Sequence, residues 1–262
     1  MPPETGRVLL TGAGPGAVDL MTVRALRAVE SAQALLYDAL VSEAVIALAP
    51  PGCVRIQTGK RAGKASMPQA TINRLMLRLA QRGLTVVRLK GGDPSVFGRS
   101  GEERAFLEAA GVAVEIIPGV TAASAAAAQF AFPLTHRGEA RRVVFATARV
   151  QDGAVVEAGW AGMADAQTTV VLYMAREAAQ AAADRLIAEG RSPQTPALAV
   201  ENAGRPEARA IAGSLEQLPQ AVAAAAFTGP VALIIGEAAA LARGAVGYEG
   251  VEPVRLAGAR SI

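Results

Sequence analysis

The chain has 262 residues, of which 52% are hydrophobic, 4% aromatic and 19% charged, with a formal net charge of +3. That length holds one large domain or two modest ones, with a core packed from small aliphatic side chains. Cys53 is the only cysteine and His136 the only histidine, which excludes an intrachain disulfide, a thiolate cluster and a His-rich metal centre, so no metal is expected.

The apolar runs, such as 122–128 and 221–227, fall far short of the roughly 18 residues that span a bilayer. Met1–Gly6 has neither the basic nor the apolar region of a signal peptide. A cytoplasmic, reducing compartment and no membrane partner are therefore expected. The arginines lack interleaved aromatics, so no nucleic-acid surface is expected either. There is no G-x-S-x-G elbow for a serine nucleophile.

In chain order, strand and helix signals alternate. Arg7–Thr11 reads as a strand and Asp19–Ser31 as a helix, with Leu20, Val23, Leu26 and Val29 near helical spacing. Ala34–Tyr37 and Val54–Gln57 are short strands. Pro68–Arg82 is amphipathic, with Ile72, Leu75, Met76 and Leu79 on one face and Gly83 as its stop. Thr85–Leu89 is a strand, Gly101–Ala110 a helix and Val112–Ile117 a strand. Pro118-Gly119 then precedes a small-residue helix, Ala122–Gln129. This βαβ alternation predicts a mostly parallel sheet.

Polar residues over Pro133–Arg142 mark a boundary. The expected division is an N-terminal α/β domain over 1–134, a second over 135–243 and a loose tail over 244–262. The second half offers strands at Arg142–Thr147, Thr168–Tyr173, Pro196–Glu201, Ala208–Ala212 and Val231–Ile235. Helices are expected at Glu177–Glu189 and Leu215–Ala225.

Two loops carry the chemistry. Gly91-Gly92-Asp93-Pro94-Ser95-Val96-Phe97-Gly98-Arg99 lies between a strand and a helix, at the sheet edge where open α/β folds bind ligands. Its glycines admit close backbone approach, and Asp93 can accept hydrogen bonds from hydroxyl or ammonium groups. Equally, Asp93 could be a turn-capping residue. Gly12-Ala13-Gly14-Pro15-Gly16-Ala17 fits the G-x-G-x-x-[GA] dinucleotide pattern, with Asp38 placed for a ribose. A nicotinamide-dependent oxidoreductase is thus an alternative. Against it, Pro15 has no N–H to offer a pyrophosphate.

Together with Tyr37-Asp38, Gly59-Lys60-Arg61, Pro118–Ala122, Pro133–Arg137, Tyr173-Met174 and Glu201-Asn202-Ala203, these loops closely resemble the uroporphyrinogen-III C-methyltransferase family of tetrapyrrole methylases, from about Arg7 to Ala242. The resemblance implies two α/β domains with the cofactor cleft between them, and a homodimer. It implies S-adenosylmethionine-dependent C-methylation of uroporphyrinogen III, two successive transfers giving precorrin-2 and two S-adenosylhomocysteines, for cobalamin or sirohaem synthesis. Another precorrin C-methyltransferase of this family is an alternative, and a non-enzymatic tetrapyrrole carrier a third.

The cofactor residues carry over onto Pro15, Gly91, Gly92, Asp93, Val96, Thr121, Ala122, Met174 and Ala203, and the proton acceptor and donor onto Asp38 and Lys60. No dehydrogenase or ferrochelatase segment precedes the methylase region, so a fused sirohaem enzyme is not expected. Ala148-Arg149 stands where Gly-His is common in the family, which is expected to alter substrate contacts near the cleft, and Ser95 where a bulkier aromatic is common, which is expected to loosen packing around the cofactor.

Displacement at a sulfonium needs alignment rather than a metal or a covalent nucleophile. A methylated pyrrole must lose a proton, which Asp38 could accept, although a strand-end cap is its other reading. The substrate's carboxylates suggest partners among Arg61, Lys64, Arg99, His136, Arg137, Arg141, Arg142 and Arg149.

Overall fold

The computed structural model describes residues 5–59, 67–148, 150–151, 154–155 and 159–248. Lys60, Arg61, Lys64 and Arg149 lie outside the described residues. The chain forms two compact units, Met1–Ala122 and Ala123–Ile262.

The first unit contains β1 (Arg7–Gly12), α1 (Val23–Glu30), β2 (Ala34–Tyr37), α2 (Glu43–Ile46), β3 (Val54–Gln57), α3 (Gln69–Gln81), β4 (Val86–Lys90), α4 (Ser100–Ala109) and β5 (Ala113–Ile117). Its five strands lie in the order β3-β2-β4-β1-β5, and every pairing is parallel. Strands buried on both faces read as continuous apolar runs. Leu9, Leu35, Val87 and Leu89 pack with Ala25, Val29, Val45 and Ile46 of α1 and α2. Val8, Leu10, Leu36 and Val86 pack with Ile72, Met76 and Leu107 of α3 and α4. β1 and β4 are neighbours whose onward connections leave towards opposite edges of the sheet. That reversal is where a crevice opens at the carboxyl ends of such a sheet.

The second unit runs from α5 (Ala122–Gln129, whose first residue belongs to the first unit) through β6 (Arg142–Thr147), a ribbon of β7 (Val150–Gln151) and β8 (Ala154–Val155), β9 (Thr168–Tyr173), α6 (Ala179–Ala188), β10 (Pro196–Glu201), β11 (Arg209–Ser214), α7 (Leu218–Ala224), β12 (Val231–Ile235) and β13 (Val246–Gly247). Its six-stranded sheet has the order β13-β11-β10-β12-β9-β6. This sheet is mixed: β6 with β9 and β11 with β13 are parallel, the rest antiparallel. Val170, Leu172, Ala197, Leu233 and Ile235 pack against Leu186 of α6, Leu218 and Val222 of α7, and the buried Trp160.

Several boundaries differ from expectation for local reasons. α1 starts only at Val23, because the Thr22 Oγ1 accepts the Ala25 N–H (3.1 Å) and caps it. The preceding Val18–Leu20 is a separate 3-10 turn. Residues 246–248 are not loose: β13 pairs with β11, and Tyr248 N donates to Ala212 O (3.0 Å). The units divide after Ala122 rather than after the expected 134. Downstream partners draw α5 into the second unit: Ala123 N donates to the Tyr173 hydroxyl (3.0 Å), and Arg243 N to Phe130 O (2.7 Å).

Glu201, buried at the end of β10, anchors the second unit. Its Oε1 accepts Thr228 N and Gly229 N, both at 2.6 Å, and its Oε2 accepts Arg209 Nε at 2.6 Å. Burial alone would push this carboxyl up, but the bonds from Gly229, Arg209 and Thr228 outweigh it and hold the pKa below its ordinary value. The stabilisation is therefore fully present above about pH 4.3, the unfolded value, and is lost as the pH falls towards the lowered folded value. Glu201→Gln should cost about 1.5–3 kcal/mol at pH 7 and remove that acid-dependent loss. Thermal unfolding at pH 7 and pH 4 checks it, and parallel pH dependence in both proteins would refute the assignment.

Candidate active site

Three loops at the carboxyl edge of the parallel sheet are joined through their backbones. After β1, Ala13 N donates to Lys90 O (2.8 Å). Gly14 and Gly92 then form an antiparallel bridge, with N–H to O distances of 3.2 and 2.7 Å. The third loop, after β5, presses onto both: a Cβ on Gly119 would lie 2.2 Å from Gly92 O and 2.9 Å from Gly12 Cα. A Cβ on Gly12 would meet Gly119 N at 2.6 Å. Only chains without side chains can converge here.

Carboxylates complete the assembly. Asp38, half-buried beyond β2, accepts Leu40 N through Oδ1 (2.9 Å) and Gly91 N through Oδ2 (3.3 Å). Asp93 accepts Ser95 N (2.8 Å) and the Ser95 hydroxyl through Oδ1, and Gly119 N through Oδ2 (2.9 Å). Among the described residues, both acceptor directions of Oδ1 are thereby filled and one of the two on Oδ2. The Ser95 hydroxyl and amide both donate to Asp93 and so close the turn on which the carboxylate sits. Ser42 Oγ donates to Gly16 O (2.7 Å), tying the first loop to α2.

Pro15, Asp38, Gly91, Gly92, Asp93 and Thr121 are thus brought to one edge, with Val96 half-buried on the same Gly91–Arg99 loop. Gly92 has φ +69°, and among the described residues a Cβ there would meet nothing nearer than Thr121 Cα at 4.0 Å, so open space borders it. Two positions of the first loop offer no amide to a pyrophosphate. The Gly14 amide is bonded to Gly92, Pro15 has none, and the helix N-terminus is capped by Thr22.

In the second unit, Met174 follows β9 with φ +55° and 69% exposure. A bulky residue in that left-handed region is strained, a feature that concentrates at functional sites. Ala203 is buried in the turn after β10. Gln129, at the end of α5, clamps that turn: its Oε1 accepts Gly204 N and its Nε2 donates to Arg205 O, both at 2.9 Å. Since Ala123 N bonds Tyr173, α5 braces the segments that carry Met174 and Ala203. Gln129 carried no motif in the sequence; a Gln closing a polyalanine run was its one signal.

Of the five expected substrate residues that the structure describes, four have a side-chain partner. Arg99, at φ +56°, forms a two-pronged ion pair with Glu102 (2.9 and 2.7 Å). Hydrogen bonding to Glu102 holds the Arg99 pKa above its ordinary value and, reciprocally, the Glu102 pKa below. His136 Nδ1 lies 3.6 Å from Glu139 Oε2, within a bridge between His136 and Ala140. Arg142 pairs with Asp165, and Arg141 with Gln167. Arg137 is exposed. Among the described residues, no group of three or more His, Cys, Asp or Glu is placed to hold a metal. The Gly119 contact yields a direct test: Gly119→Ala must push the three loops apart. It should cost about 1–3 kcal/mol in thermal unfolding; an unchanged melting temperature would refute the close approach.

The chain matches the family model for Tetrapyrrole (Corrin/Porphyrin) Methylases over residues 7–219. It is 42% identical over 246 residues to a sirohaem synthase of Pseudomonas paraeruginosa, covering 94% of this chain and 53% of that protein. The chain thus spans about half the length of the curated relatives it matches. Among solved structures, it is similar to a uroporphyrin-III C-methyl transferase from Thermus thermophilus complexed with S-adenyl homocysteine, at 39% identity and a TM-score of 0.74, covering 89% of this chain and 93% of that one. A cobalt precorrin-4 methyltransferase superposes with a TM-score of 0.80 at 29% identity, covering 89% and 95%. With a matched family model over most of its length, and with the glycine loops brought to one sheet edge, this chain belongs to the tetrapyrrole methylases.

Proposed function

We propose that the chain methylates carbon atoms of uroporphyrinogen III from S-adenosylmethionine, twice in succession, to give precorrin-2 and two S-adenosylhomocysteines. The observation that carries this reading is the 39% identity, over nearly the whole of both chains, with the uroporphyrin-III C-methyl transferase. The lower identity to the precorrin-4 methyltransferase supports the fold more than the substrate. Precorrin-2 as product would serve cobalamin or sirohaem synthesis. The enzyme is proposed to act as a cytoplasmic homodimer; among the described residues no helix is long and apolar enough to cross a membrane.

The cofactor supplies an electrophilic methyl group on a sulfonium. The residues proposed to hold it are Pro15, Gly91, Gly92, Asp93, Val96, Thr121, Ala122, Met174 and Ala203. The fit rests on the open space over Gly92 and the one unused acceptor direction of Asp93. Backbone-lined loops grip a ligand without bulky side chains in the way of the incoming ring, and such alignment is worth about 7–11 kcal/mol. Asp38 is proposed to take the proton that the methylated pyrrole releases, held for that task by Gly91 N and Leu40 N. Lys60 is its proposed proton-donating counterpart. Arg61, Arg99, His136, Arg137 and Arg149 are the proposed carboxylate partners.

Incubating the chain with S-adenosylmethionine and uroporphyrinogen III should release two equivalents of S-adenosylhomocysteine per precorrin-2, followed by chromatography. Binding of the tetrapyrrole without cofactor turnover would leave a carrier instead. Asp38→Asn should slow single-turnover methylation about 10²–10⁴-fold while S-adenosylhomocysteine affinity stays within about threefold in calorimetric titration. Equal turnover would remove Asp38 from the proton transfer. Light scattering at twice the chain mass is expected for the dimer.

A further inference from the structure

Three charges are buried directly beneath the Gly91–Arg99 loop, on the sheet face covered by α3 and α4. Arg88 and Lys90 are each 5% exposed and Glu103 is fully buried. Lys90 Nζ donates to both Glu103 oxygens (3.1 and 3.0 Å), and Arg88 Nε to Oε1 (3.2 Å). Gln69 Nε2 bonds Glu103 Oε1 and Asn73 Oδ1, each at 2.9 Å. Arg88 also reaches the Leu36 and Leu89 carbonyls (3.5 and 3.3 Å).

Glu103 thus bonds both cations, with Asp38 a second acid near Lys90 that makes no hydrogen bond to it among the described residues. Buried ion pairs rarely stabilise a fold more than apolar side chains of the same size would, and Arg88 with Glu103 already makes a neutral pair. Stability alone does not account for the second cation. Its location does. Lys90 is the last residue of β4 and Glu103 lies in the first turn of α4, so their contact closes the base of the loop between them. The Lys90 carbonyl accepts Ala13 N, and the next residue's amide binds Asp38. The position a Cβ would take on Gly98 is 3.1 Å from Lys90 Cε, so the stem of the lysine lies under the far arm of the loop.

We propose that Lys90 is a positioning residue: by pairing with Glu103 it latches both ends of the Gly91–Arg99 loop and holds that loop in the shape that takes the cofactor. The inference rests on the reading above that this loop contacts S-adenosylmethionine. A preorganised loop spares the ligand the entropy of ordering it. Burial and the Arg88 guanidinium lower the Lys90 pKa, while Glu103 and Asp38 oppose that shift.

The test compares the unaltered full chain with Lys90→Met, Lys90→Gln and Lys90→Arg. In the ligand-free proteins, Lys90→Met should speed hydrogen exchange at the Gly91, Ser95 and Gly119 amides and leave β1, β2 and β5 protected. Its calorimetric affinity for S-adenosylhomocysteine should weaken about tenfold, equivalent to about 1.4 kcal/mol, with a smaller loss in turnover at saturating S-adenosylmethionine. Lys90→Gln should behave as Lys90→Met does, and Lys90→Arg should recover most of the affinity. Unchanged loop exchange and affinity in Lys90→Met would overturn the proposal. So would exchange rising across the whole sheet, which would make Lys90 a fold element. If the unaltered chain itself binds no S-adenosylhomocysteine, the cofactor reading fails, and the latch's link to the cofactor fails with it. The ligand-free exchange still reports separately whether the loop is latched.

Discussion

The close approach of Gly12, Gly92 and Gly119 is the constraint on which the first unit's site depends. Three loops leave neighbouring parallel strands and meet backbone to backbone, with distances that leave no room for a Cβ on Gly12 or Gly119. Parallel pairing brings this about. β4, β1 and β5 are adjacent and share one carboxyl edge, so their following loops emerge side by side. Side chains on these residues would separate the loops and fill the space that a ligand needs.

Carboxylates do the joining that disulfides or metals do elsewhere. Asp38 accepts the Gly91 amide, Asp93 the Gly119 amide, and Glu201 the Thr228 and Gly229 amides. Each ties its own loop to one far away in sequence. Hydrogen bonds to a charged acceptor are stronger than neutral ones and are directional. They hold loops that bury too little apolar surface to order themselves. The same use explains why Asp93 belongs to the scaffold as well as to the proposed cofactor site. A residue can read as a turn cap and as a ligand contact because a carboxylate has two oxygens and four acceptor directions.

The parallel sheet was largely legible in the sequence. The expected strands at Ala34–Tyr37 and Val54–Gln57 coincide with β2 and β3 to the residue, and in the mixed sheet of the second unit the one at Thr168–Tyr173 coincides with β9. Local pattern also located Gly91–Arg99 between strand and helix. What it could not carry was long-range partnership. The α5 residues look like a continuation of the first unit, and long-range bonds such as those to Tyr173, Gly204 and Arg205 tie them to the second. The short β13 has no periodicity of its own and exists because β11 offers it an edge. Arg88, Lys90 and Glu103 read as ordinary charged positions in a strand and a helix. Their burial follows from the α3–α4 packing, which no local pattern encodes.

The paired state of the arginines bears on how a polycarboxylate could be recognised. Arg99 with Glu102 and Arg142 with Asp165 are ion pairs whose side chains are each about half exposed. Such pairs contribute roughly 0–1 kcal/mol, so exchanging an internal carboxylate for a substrate's costs little. A guanidinium held in advance by a neighbouring acid has also lost much of its rotamer freedom before the substrate arrives. The buried Arg88 and Lys90 are the opposite case, since withdrawing Glu103 would leave two cations without solvent. Exposure therefore separates basic residues whose pairing can be exchanged at little cost from those whose pairing cannot.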